Sequence, residues 1–150
     1  MYVAAGIGQI IATRSSISGA AGGCQAEIGS ASSMAAGALT YLQGGNCEQI
    51  ATSAAMAMKN LLGLVCDPVA GLVEVPCVKR NVIGTVNAMA CADMAMAGIV
   101  SRIPPDQVMD AMKEVGDKMD ASLRETALGG LAQTDEGMKI AEKMHASYEN

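Results

Sequence analysis

The sequence predicts an all-α fold, a compact helical domain of about five to seven helices whose Gly- and Pro-rich loops carry the chemistry. Three observations lead there. Half of the 150 residues are apolar, yet Phe and Trp are absent and only three Tyr occur, so Ala, Leu, Met and Gly must fill the interior. Ala, Leu and Met favour helices, whereas strands favour β-branched and aromatic side chains. Small side chains let helices approach closely, and twelve Met supply adaptable filling for the gaps between them. At this length one hydrophobic core is expected, so residues 1–150 read as a single helical domain.

Residues 1–13 read as the end of an apolar helix, because Val3, Ile7, Ile10 and Ile11 recur at helical spacing and need a packing partner. Residues 15–23 (SSISGAAGG) form a loop of small residues that tolerates tight approach. A helix is expected over 24–43, stopped by Gly44-Gly45. Asn46 caps the next helix, with Glu48 and Gln49 in its first turn, and that helix runs to about Leu62. Residues 63–77 (GLVCDPVAGLVEVPC) break the pattern, since Pro68 and Pro76 forbid a continuous helix and Gly71 supplies a turn. A second apolar helix follows over 80–102, halted by Ile103-Pro104-Pro105. Residues 106–120 are amphipathic, with Val108, Met109, Met112 and Val115 inward. A shorter helix over 121–128 ends at Gly129-Gly130, and a charged surface helix spans 134–150.

The formal charge of −5 argues against a binder of nucleic acid, which needs a basic stripe to neutralise phosphates. Residues 28–47 carry no formal charge, but Ser, Gln, Asn and Gly punctuate them, so they read as a buried helix rather than a membrane span. Residues 1–14 lack the pattern of a signal peptide. Five Cys without such a signal point to reduced thiols or metal ligands, and the expected location is the cytoplasm.

Cys24, Cys66 and Cys77 share surroundings that Cys47 and Cys91 lack. Each sits beside Gly or Pro at a loop or a loop-to-helix junction: GGC, VCDP and VPC. Thiolates that converge on one centre need such freedom, and junction amides can donate to cluster sulfurs. Lys79 and Arg80 add positive charge nearby. The spacing is not that of structural zinc, which uses close pairs. By spacing alone, three loop cysteines are more often buried thiols than ligands. Cys47 and Cys91 read as small core residues.

Three segments carry a resemblance. Residues 16–36 (SISGAAGGCQAEIGSASSMAA), 59–81 (KNLLGLVCDPVAGLVEVPCVKRN) and 123–132 (LRETALGGLA) closely resemble the C-terminal half of the α subunit, or α domain, of iron–sulfur-dependent L-serine dehydratases. The likeness runs along nearly the whole chain and is weakest after Thr134. It implies that Cys24, Cys66 and Cys77 ligate a 4Fe–4S cluster with one iron left open. It further implies conversion of L-serine to pyruvate and ammonia, a step in amino-acid degradation that feeds gluconeogenesis. The open iron would act as a Lewis acid on the substrate hydroxyl while a protein base takes the α-proton, with no pyridoxal phosphate. Its implied partners are a β subunit or domain and the missing N-terminal half, in an oligomer. A related lyase acting on another amino acid, such as cysteine, and a catalytically silent helical module are the other readings.

The chain departs from the family in three respects. Ala21 stands where the family usually has Glu. The upstream portion with its PTAPTAGS-like segment is absent, and so is the β domain with its SSHT-type segment and candidate base. Some single-chain members end in a cysteine that can occupy the open iron, whereas this chain ends HASYEN.

Arg80, Asn81, Arg124 and Glu125 are the polar residues expected near the substrate, since Arg can clamp a carboxylate. The competing reading pairs both arginines with acidic neighbours. Asp67 either forms a turn before Pro68 or faces the open iron. Glu27 and Glu74 are similar cases, each more often a helix-start or solvated carboxylate than a group facing the iron. His145, in the charged tail, is rejected as base or ligand. Lys59 beside a Gly-rich loop could imitate a pyridoxal-phosphate site, but no phosphate-loop pattern accompanies it, and a helix end is the expected place.

Overall fold

In a computed structural model the described residues are 1–148; Glu149 and Asn150, the end of the predicted tail helix, lie outside them. Seven α-helices and no strand occur among the described residues, as the composition predicts. They are α1 (Tyr2–Arg14), α2 (Gly19–Gly22), α3 (Ser30–Leu42), α4 (Cys47–Lys59), α5 (Cys77–Met96), α6 (Pro105–Lys118) and α7 (Asp135–Tyr148).

Helix α3 is central and packs against α1, α4 and α5. Two apolar layers hold the bundle. One joins Ile11 of α1, Ala55 and Met58 of α4, and Val108, Met109 and Met112 of α6. The other joins Ala36 of α3, Met56 and Ala57 of α4, and Ala88, Cys91 and Ala95 of α5. Alanine at the contacts lets the helices approach. One close approach uses Gly84, where an added Cβ would stand 2.8 Å from Ile28 Cγ2. There Ser32 Oγ donates to the Gly84 carbonyl (2.7 Å), and Asn87 Nδ2 donates to Ser32 Oγ (2.9 Å) and to the Ala57 carbonyl (2.8 Å). This seam fixes the start of α5, and with it Cys77, against the segment that follows Cys24.

The start of α4 follows the predicted chemistry. Asn46 accepts from the Gln49 amide while Gln49 accepts from the Asn46 amide, a reciprocal cap. The structure moves other boundaries. The loop over 15–23 contains one helical turn, α2. The helix expected from Cys24 begins instead with a π turn, Gln25–Gly29, before α3. Helix α5 starts at Cys77 rather than Arg80, directly after Pro76, and stops at Met96, where Gly98 turns left-handed (φ 88°).

The helix expected over 121–128 does not form. A single 3-10 turn, Ala121–Leu123, gives way to Arg124, which bridges to Cys66, and Glu125 and Ala127 adopt positive φ. Cys47 is exposed rather than in the core, because it is the first residue of α4, just past the Gly44-Gly45 turn. Ile10 also faces solvent, while Ile11 is fully buried. Along α5, Val78, Val82, Val86 and Met89 form an exposed apolar stripe at helical spacing.

Candidate metal centre

Three loops bring Cys24, Cys66 and Cys77 together. All three are buried, and their side chains pack in one group with Ile28. Gln25 anchors the first loop: its amide donates to the Leu64 carbonyl (2.9 Å), its Nε2 to the Met112 carbonyl (3.0 Å), and its Oε1 accepts from the Gly63 amide (3.0 Å). One buried side chain therefore ties the Cys24 turn to α6 and to the loop leading to Cys66. That loop is held from its other side, where the Cys66 amide donates to the Leu123 carbonyl and the Glu125 amide to the Cys66 carbonyl, both at 2.8 Å. Cys77 enters as the first residue of α5, at the positive end of the helix dipole.

Burial, reinforced by neighbouring Cys24, pushes the Cys66 thiol well above its ordinary range, and burial beside Cys24 raises Cys77 as well. Without a metal these two thiols stay protonated at neutral pH. A bound ion displaces the protons, so uptake strengthens as pH rises. Arg80 Nη1 supplies the nearby positive charge, donating to Cys24 Sγ (3.8 Å), the Val65 carbonyl (2.7 Å) and Asp67 Oδ1 (2.8 Å). Burial opposes that charge, but the bonds to Asp67 and Cys24 win and raise the Arg80 pKa. Asp67 is 3% exposed, and its second oxygen accepts from the Leu131 amide (2.8 Å).

A cavity of about 440 Å³ opens beside the thiols. Cys66, Cys77, Glu27, Asn81 and Glu125 line it, with Ile28, Pro68, Val73 and Val78 as apolar wall. Of the polar residues singled out from the sequence, Asn81 and Glu125 thus reach the cavity. Asp67 and Arg80 form an ion pair behind the cysteines. Arg124 reaches the Ala21 carbonyl (3.4 Å), beside the position where the resemblance expects Glu. Glu74 is exposed and Lys59 Nζ donates to Ser101 Oγ (2.9 Å). His145 lines a different cavity, near α7.

Glu27 is the residue that sequence reasoning undervalued. One carboxylate oxygen lies within 4.8 Å of both Cys24 and Cys66 sulfurs. The signal was its spacing, three residues after Cys24 on the same turn. Burial and the charge of Glu125 raise its pKa, partly offset by a bond from the Gly19 amide.

The donor set fits an iron–sulfur centre: three convergent thiols, a guanidinium at one sulfur and a cavity at their open side. Comparison with known proteins decides the family. The model of the serine dehydratase alpha chain matches residues 1–132. The chain belongs to the serine dehydratase alpha-chain family. Curated relatives agree. A probable L-serine dehydratase alpha chain of Bacillus subtilis (strain 168) is 58% identical over 144 residues, covering 96% of this chain and 48% of that protein. Its counterpart in Latilactobacillus sakei is 58% identical, covering 93% of this chain and 67% of that one. The L-serine dehydratase alpha chain of Peptoniphilus asaccharolyticus is 54% identical, covering 90% and 46%. This serine dehydratase family chain therefore spans about half the length of the Bacillus and Peptoniphilus proteins. No helix among the described residues is long and apolar enough to cross a membrane.

Proposed function

We propose that the chain is the cluster-bearing part of an L-serine dehydratase that converts L-serine to pyruvate and ammonia in the cytoplasm. The packing of Cys24, Cys66 and Cys77 into one buried group is the observation that carries this reading. These thiolates would hold a 4Fe–4S cluster, which when bound supplies Lewis-acid activation of the substrate hydroxyl at the iron without a cysteine.

The chain's own residues prepare the site. Arg80 offsets the charge gathered on the sulfurs, and the buried Asp67 holds Arg80 in place. Asn81 offers amide bonds to a substrate in the cavity, while Glu27 and Glu125 give it a negative wall suited to an ammonium group.

Residues 1–150 act as one helical domain that needs more protein for turnover. The alpha-chain names of the relatives support a β partner, and the exposed α5 stripe supports a further covering surface. Pyruvate release from L-serine tests this. Assembled anaerobically with the remaining α segment and a β chain, the iron-loaded chain releases pyruvate and loses that activity in air. Alone it releases little. Turnover that survives oxygen and iron chelation would overturn the reading.

A further inference from the structure

The position of Glu27 is not something three cluster cysteines require. Each thiolate of an iron–sulfur cluster takes its own iron, so its sulfurs do not crowd one another as ligands of a single ion do. Here the donor atoms of Cys24, Glu27 and Cys66 all lie within 4.8 Å of one another. Around one tetrahedral ion, with metal–sulfur bonds of about 2.3 Å and metal–oxygen bonds of about 2.0–2.2 Å, neighbouring donors stand roughly 3.5–3.8 Å apart. Closing the remaining difference takes only small side-chain movements, and the Glu27 carboxylate is exposed and free to make its share.

The carboxylate is also held in place. The Gly19 amide donates to it. A Cβ at Gly19 would stand 2.7 Å from Glu27 Oε2 and 3.3 Å from Cys66 Sγ, so only glycine leaves room for this approach. The cavity at the open side gives water or Cys77 access to the remaining position.

We propose that Cys24, Cys66 and Glu27 bind a single thiophilic divalent cation, such as zinc or ferrous iron, in the chain that carries no iron–sulfur cluster. The inference rests on the proposed function only in taking the same thiols as ligands. The chemistry is simple exchange: two thiol protons leave, two thiolates and one carboxylate bind, and nothing is oxidised. Arg80 beside Cys24 offsets the residual negative charge. Zinc held this way competes with cluster assembly for the same sulfurs.

Cobalt(II) added to the anaerobic, sulfide-free chain tests the proposal. The expected spectrum combines thiolate-to-cobalt charge transfer with the ligand-field bands of a tetrahedral site, saturating at a single ion. Altering groups that merely support ligands lowers metal affinity about 10–100-fold, so Glu27→Gln weakens binding by at least about ten-fold. The thiolate band persists in that variant, which reports an intact site, and Cys47→Ser titrates like the native chain. Equal affinity in Glu27→Gln, or cobalt uptake without a thiolate band, overturns the proposal. Equal affinity in a chain that still takes up iron and sulfide leaves the cluster reading standing. Weakened cobalt binding in a chain that refuses iron and sulfide has the opposite meaning.

Discussion

Cys66→Ser abolishes iron retention, whereas Cys47→Ser leaves iron content unchanged. The two cysteines differ in everything that decides ligation. Cys66 is 2% exposed and packs against Cys24 and Cys77. Its backbone is clamped on both sides by residues 123–125, so a shorter serine oxygen cannot move inward to compensate. Soft thiolate is the donor that iron–sulfur centres select, and a hydroxyl is a poor substitute. Cys47 opens α4 in solvent and belongs to no group of potential ligands among the described residues. Iron measured after anaerobic loading and desalting checks the pair. Equal loss from both variants contradicts the assignment.

Asp67→Ala destabilises the fold by about 3–5 kcal/mol, the usual consequence of leaving one partner of a buried ion pair alone. The Asp67 and Arg80 side chains are 4% and 16% exposed, so solvent cannot replace what is lost. The same carboxylate also accepts from the Leu131 amide, which the substitution leaves without its acceptor. Gly130 packs so tightly on Asp67 that a side chain there would collide with it. Asp67 therefore ties the cysteine loop both to α5 and to residues 130–131. The midpoint of urea unfolding reads the change. Asp67→Asn, which keeps an acceptor, loses less. A shift under about 1 kcal/mol in Asp67→Ala would mean that this pair does not hold the loop.

Much of the architecture was legible because helix-forming small residues dominate and glycine and proline mark the breaks. The cap at Asn46 and the inward face of α6 follow from local pattern alone. What stayed hidden depends on contacts distant in sequence. Nothing local to residues 121–128 announces that they pair with Cys66, and that pairing overrides their helical pattern and sets Glu125 at the cavity. The π turn after Cys24 has no composition signal, yet it sets Glu27 beside the sulfurs. Cys47 illustrates the opposite error: free cysteine is usually buried, but its place just after a helix cap outweighed that tendency.

Iron and inorganic sulfide counted together in the anaerobically loaded chain, alongside thiol alkylation, test the central claim most directly. About four of each per chain are expected, with Cys24, Cys66 and Cys77 protected from alkylation while Cys47 reacts. Iron bound without sulfide, or the three cysteines alkylated as fast as in the unloaded chain, would contradict it.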